Sequence, residues 1–184
     1  MIGNDIVDLK TAEIQNNWQR KGWVQKIFTV SEQNQVMISE NPHHLVWKFW
    51  SMKEATYKAH QRQFLLAPKF NPKDFVCTDS IITIGNYSYF SISKLMNDRC
   101  LYTIASSITL RNVLYTSRVF KNSFYYYKNE LKKIIAEELK IHSSRITIEK
   151  NDNGIPMIMI DHKLTDIQFS LTSHGSFTAF VIVL

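Results

Sequence analysis

Trp50-Ser51-Met52-Lys53-Glu54-Ala55-Thr56-Tyr57-Lys58-Ala59 reads as the interior of a buried helix that nonetheless carries three charges. At 100° per residue, Glu54 and Lys58 share one face, four residues apart, with Trp47 and Trp50 within about a turn on that side. A Glu–Lys pair at this spacing also serves as a surface staple contributing a few tenths of a kcal/mol. Here Phe49, Met52, Ala55, Tyr57 and Ala59 leave little of the helix to face solvent. A carboxylate and an ammonium set among tryptophans are costly unless something binds there. The stretch therefore marks a candidate site.

Outward from it, Asn41-Pro42 sets the start of this helix, which runs to about Arg62. Residues 1–9 read as a strand through Ile2, Ile6, Val7 and Leu9, followed by a helical stretch over 10–27. Thr29 or Ser31 can cap a further helix reaching about Ser39. Between 70 and 107 the pattern becomes a β-meander, with Val76–Thr78, Ile81–Ile84, 87–92 and 101–105 as strands and 110–118 as an extension. Gly85-Asn86 and Asn97-Asp98 supply turns. Leu131, Ile134, Ile135 and Leu139 define a second amphipathic helix over about 123–139. Residues 145–149 and 157–160 flank the turn sequence Asn151-Asp152-Asn153-Gly154-Ile155-Pro156, and 177–184 close the chain as a buried strand. The expectation is one α+β domain over 1–184, with two main helices packed on antiparallel strands.

The 184 residues are 45% hydrophobic and 21% charged, a globular and not a disordered composition. A net charge of +6 favours an acidic or phosphorylated partner: nucleic acid, a phosphate-bearing small molecule or an acidic protein. Cys77 and Cys100 stand alone with no CxxC spacing, which fits a reduced, cytosolic protein. Acids at Asp5 and Asp8 argue against a signal peptide, and no run approaches the roughly 18 apolar residues of a membrane span. A soluble, cytoplasmic protein is expected.

Two further spots set polar groups in an apolar frame. Asp5, within Ile2-Gly3-Asn4-Asp5-Ile6-Val7, is a carboxylate in a segment that reads as a buried strand, which calls for a partner such as a divalent cation. Its plainer reading is a turn or cap at a frayed terminus. Thr172-Ser173-His174-Gly175 precedes the last apolar strand and reads as an anion-binding turn, although a histidine beside a strand is commonly structural.

The order of these elements resembles the 4'-phosphopantetheinyl transferase superfamily, and particularly its holo-acyl-carrier-protein synthase branch. The matching segments are Gly3-Asn4-Asp5-Ile6, Lys53-Glu54-Ala55-Thr56-Tyr57-Lys58-Ala59, Asn151-Asp152-Asn153-Gly154-Ile155-Pro156 and Ser173-His174. Ile27-Phe28-Thr29-Val30-Ser31-Glu32 also looks like the family's L/F-T-x-x-E element. Residues 70–140 have no placed counterpart and lengthen the chain relative to compact synthases.

The resemblance implies transfer of the phosphopantetheine arm of coenzyme A to a serine of an acyl or peptidyl carrier protein, as in fatty-acid or polyketide biosynthesis, with release of 3',5'-ADP. By position, Asp5 and Glu54 would hold Mg²⁺ and Lys58 would face the diphosphate. Deprotonation of the serine falls to Glu54 or to a metal-bound water. Ser173 and His174 match the 3'-phosphate contact, Gly154 and Pro156 the turn near the nucleotide, and Lys53 a second basic contact. Val7 stands where a second acid is usual in the peptide-synthetase branch, Ile155 where lysine is frequent, Leu171 where a small polar residue is common, and His60-Gln61-Arg62-Gln63 where glycines often follow. Lys10, Arg20, Lys21, Lys26 and the basic residues at 58–62 are candidate contacts for an acidic carrier. The resemblance leaves monomer and trimer open. Competing readings are a non-catalytic homologue that binds carrier protein or coenzyme A, and a basic nucleic-acid-binding protein. The second lacks any module signature, and a serine hydrolase lacks G-x-S-x-G.

Overall fold

A computed structural model describes residues 1–121 and 126–184. Strand β1 (Ile2–Asp8) is buried along its whole length and leads into α1 (Leu9–Gln15), whose N-cap is the Asp8 side chain accepting from the Thr11 N–H. The helical stretch expected over 10–27 is present as two short helices. α1 ends at the Asn16-Asn17 pair, and α2 (Trp23–Ile27) restarts after Gly22, which takes the left-handed conformation at φ 86°. Helix α3 (Val30–Ile38) begins with a capping box between Thr29 and Glu32. Asn41 caps α4 (Pro42–Phe64), where Pro42 occupies the first turn and costs no hydrogen bond.

The meander follows as β2 (Val76–Thr78), β3 (Ile81–Ile84), β4 (Tyr87–Met96) and β5 (Cys100–Ser106). With β1 paired antiparallel to β5, it forms a five-stranded sheet in the order β1-β5-β4-β3-β2. The expected extension over 110–118 does not join this sheet. Leu110–Asn112 form a 3₁₀ turn, and β6 (Tyr115–Lys121) pairs instead with the last strand. Helix α5 (Tyr127–Leu139) matches the second amphipathic helix from Tyr127 onward; the expected start at Ser123 lies outside the described residues. Strands β7 (Ile146–Lys150), β8 (Pro156–Ile160) and β9 (Lys163–Leu164) form a small sheet around the turn at 151–155. Finally β10 (Gln168–His174) and β11 (Phe177–Val183) complete a three-stranded sheet, β10-β11-β6. The architecture is α+β, as the periodicities predict. Among the described residues no helix is long and apolar enough to cross a membrane.

One core, under α4 and the meander, gathers Phe28, Val46, Trp47, Phe49, Met52, Ile82 and Leu101. A second joins Ile2, Ile6, Tyr102 and Ile104 to Ala179 and Val181. A third packs Leu131 and Ile135 of α5 onto Phe169, Phe180 and Ile182. β1 lies between the first two, so both of its faces are buried and its polar side chains need partners. Asn4 is tied to β10 through its N–H to Ser170 Oγ (3.2 Å) and donates its amide to Tyr102 Oη (3.2 Å).

Candidate active site

The close approach of β1 to α4 builds the site. A Cβ on Gly3 would lie 2.2 Å from the Ala55 carbonyl oxygen and 2.7 Å from the Ala59 nitrogen, so only glycine lets the strand lie flat on the helix. Ala55 and Ala59 are fully buried, one turn apart, on the face that receives it. The small residues of the two motifs are thus a packing device. The charged residues between them, Asp5 from β1 and Glu54 and Lys58 from α4, meet where the strand crosses the helix.

Asp5 is a buried strand carboxylate, not a frayed cap. Its Oδ1 accepts from Lys58 Nζ at 3.1 Å and from Thr172 Oγ1 at 3.2 Å. Lys58 Nζ also donates to the Asn4 carbonyl (3.0 Å) and to Thr172 Oγ1 (3.2 Å). Lys58 therefore pairs with Asp5 and not with Glu54, and the surface-staple reading of the helix does not hold. Asp5 Oδ2 is buried and has no hydrogen-bond partner among the described residues. Beside it, Glu54 has no hydrogen bond or ion pair among the described residues. Burial and the negative charge of Asp5 push its pKa up to about 7, against the opposing pull of Lys58.

An unpartnered carboxylate oxygen beside a second carboxylate that resists ionisation is a donor set that suits a hard cation such as Mg²⁺. Asp5 and Glu54 fit such an ion. Among the described residues no group of three or more His, Cys, Asp or Glu lies together.

These residues open on a cleft of about 580 Å³ lined by Asp5, Glu54, Lys58, Thr172, Ser173 and His174 on its polar side. Trp23, Ile27, Trp47 and Trp50 form the apolar side, with Trp23 in edge contact with Trp47 at 5.9 Å between ring centroids. Gln15, Asn16 and Tyr127 also line it. His174 is the last residue of β10, and the turn lies beyond it at Gly175 and Ser176. Its Nδ1 accepts from the Asp8 N–H at 3.0 Å. A neutral imidazole bonded in this way carries its proton on Nε2.

Three of the expected contacts lie elsewhere. Lys53 is wholly buried on another flank of α4, one residue and 100° from Glu54, where Nζ donates to Glu32 Oε2 (2.8 Å), to the Pro72 carbonyl (3.0 Å) and to the Phe75 carbonyl. Its role as a second phosphate contact is corrected: the ammonium has no access to the cleft. Gly154 and Pro156 are not among the cleft residues either. Their turn is closed by Asn151 Oδ1, which accepts from the Asn153 and Ile155 N–H groups, and is docked on the end of α4 by Asn153 Nδ2 donating to the Leu65 carbonyl (2.7 Å). That places them roughly 10 Å beyond Lys58 along the helix axis. Of the basic residues at 58–62, Arg62 is half-buried, donates to the Phe169 carbonyl and lies 5.2 Å from the Phe169 ring, so it is not a free carrier contact.

Thr172 is the site residue that sequence patterning undervalues. Its hydroxyl bridges Asp5 and Lys58, and the only signal for it was a hydroxyl two positions before His174. No curated protein and no solved structure matches the chain. A family model described as the 4'-phosphopantetheinyl transferase superfamily matches residues 1–93, the half that carries the Gly3–Asp5 strand, the Glu32 capping box and the Glu54–Lys58 helix. With that match laid over this geometry, the chain belongs to the 4'-phosphopantetheinyl transferase superfamily.

Proposed function

We propose that this protein moves the 4'-phosphopantetheine group of coenzyme A onto a serine hydroxyl of an apo acyl or peptidyl carrier protein, with Mg²⁺, and releases 3',5'-ADP. The observation that carries this reading is the convergence of Asp5, Glu54 and Lys58 with Thr172 and His174, from opposite ends of the chain, on one cleft. Asp5 and Glu54 would hold the ion, which supplies neutralising charge to the coenzyme A diphosphate when bound.

In the transfer, the carrier serine oxygen bonds to the phosphorus that bears pantetheine. The bond from that phosphorus to the bridging diphosphate oxygen breaks, the serine proton is released, and the electron pair leaves on 3',5'-ADP. Lys58, held by three acceptors, presents a fixed ammonium beside the two carboxylates and stabilises the negative charge that grows on the leaving oxygen. His174 Nε2–H and Ser173 meet the 3'-phosphate. The wall of Trp23, Trp47 and Trp50 excludes water and strengthens each of these charge interactions.

The decisive experiment incubates the protein with coenzyme A, Mg²⁺ and apo carrier proteins of acyl and peptidyl type, and reads their intact masses. A phosphopantetheine increment on one class names the carrier. No increment on any of them would sink the proposal.

A further inference from the structure

Asp8 takes no part in the reaction above, yet its carboxylate is fully buried and accepts four hydrogen bonds a few residues from Asp5. Oδ1 accepts from Arg99 Nε at 3.0 Å and from the Thr11 N–H at 3.4 Å. Oδ2 accepts from Arg99 Nη2 at 3.1 Å and from the Ser176 N–H at 3.0 Å. Arg99 Nη2 also donates to Ser176 Oγ (3.3 Å), and its guanidinium lies 5.7 Å from the Phe177 ring. A planar guanidinium bonded to both oxygens fixes direction as well as charge.

This group is built around the turn that follows His174. Gly175 has φ 55°, and a Cβ there would lie 2.4 Å from Thr11 Oγ1 and 2.5 Å from Asp8 Oδ2, so the turn is seated directly on the carboxylate. The backbone N–H of the same aspartate donates to His174 Nδ1. Asp8 thus holds the turn with its side chain and the imidazole with its main chain, while Arg99 keeps the aspartate from rotating. With Nδ1 engaged, the Nε2 edge of the ring is left for the cleft that His174 lines.

We propose that Asp8 and Arg99 are positioning residues for phosphate recognition: they lock His174 as a fixed Nε2–H donor and so set the preference for nucleotides that carry a 3'-phosphate. This rests on the assignment of His174 to the 3'-phosphate made above. A hydrogen bond to a charged phosphate contributes on the order of 10- to 100-fold in affinity, and a ring free to rotate forfeits most of it.

The test is titration calorimetry of 3',5'-ADP and of 5'-AMP against the wild type, Arg99→Gln and Arg99→Lys. The wild type is expected to favour the bisphosphate by at least about 10-fold. Arg99→Gln is expected to bring that ratio to roughly 1–3 while 5'-AMP affinity changes little, with part of the ratio restored in Arg99→Lys. Equal weakening of both ligands, or an unchanged ratio, overturns the proposal. Nitrogen-15 NMR of the native protein stands independently of whether the variants fold: the neutral His174 ring must report Nε2–H, and an Nδ1–H ring overturns the lock. A wild type that binds both nucleotides equally defeats the His174 assignment and this proposal together. A wild type that favours the bisphosphate, with the ratio collapsing in Arg99→Gln, but that transfers to no carrier defeats the proposed reaction alone.

Discussion

Glu54 is the residue whose environment is least suited to its own charge. Its pKa of about 7, raised by burial and by Asp5, lies well above the roughly 4 of an unfolded glutamate. The group therefore stabilises the fold fully below pH of about 4, and that contribution is lost as pH rises through about 7. Without a cation the protein should lose on the order of 1–3 kcal/mol from this group across the interval. Glu54→Gln removes the penalty. Calorimetric melting at pH 8 should show the variant at least as stable as the wild type. Mg²⁺ should raise the wild-type Tm and leave that of the variant unmoved. A variant that melts lower at this pH, or that Mg²⁺ still stabilises, would remove Glu54 from the proposed metal site.

Helix α4 works through several faces at once. Ala55 and Ala59 receive β1, Glu54 and Lys58 meet the cleft, and Lys53 anchors the helix to α3 and to the chain entering β2. The anchor is complete: Glu32 accepts from Lys53 Nζ, from the Thr29 N–H (2.8 Å) and from the Cys77 N–H (2.7 Å), with both ionic side chains fully buried. Lys53→Met leaves Glu32 as an uncompensated buried charge and should cost about 3–5 kcal/mol in denaturant unfolding, while Glu32→Gln in the same chain returns part of it. On the proposed reading, KM for coenzyme A should move less than about two-fold in the folded fraction, because the lysine is fully buried and does not line the cleft. An unchanged stability with a ten-fold rise in KM would restore the phosphate-contact role. Such pairings mark the boundary of what is legible in the sequence. Helix α3 and its capping box, the start of α4 at Asn41-Pro42 and the meander turns are written in neighbouring residues. The cleft faces of Glu54 and Lys58 follow from helical periodicity. The partner of Lys53 lies 21 residues away and that of Lys58 lies 53 residues away, and no local pattern encodes either. Strand β10 is missed for a related reason: Gln-Phe-Ser-Leu-Thr-Ser-His alternates, but hydroxyls occupy buried positions that only neighbouring strands can satisfy. The sheet that β6 joins is likewise chosen by β11, more than 50 residues later.

Across the molecule as a whole, the chain carries a net charge of +6, and part of it lies beside the cleft. Lys10, Arg20, Lys21 and Lys26 are exposed in α1, α2 and the segment between them, and the same helices contribute Gln15, Trp23 and Ile27 to the cleft. Encounter with an acidic carrier should be steered by this field, so kcat/KM for the carrier should fall by about 10-fold between low and physiological ionic strength while kcat changes little. A rate indifferent to salt would remove the steering role from these four residues. The bonds that close the cleft join positions at far ends of the chain: Thr172 to Asp5 across 167 residues, and His174 to Asp8 across 166. Loops of that length close late, after local helices and hairpins have formed. During synthesis, β1 and α4 can bring Asp5, Glu54 and Lys58 together long before β10 exists, but nothing yet contributes Thr172 or the imidazole. On the proposed reading, the residues assigned to the nucleotide are therefore completed only when β10 docks on β1, so a species with its helices and hairpins formed but β10 undocked would bind no nucleotide.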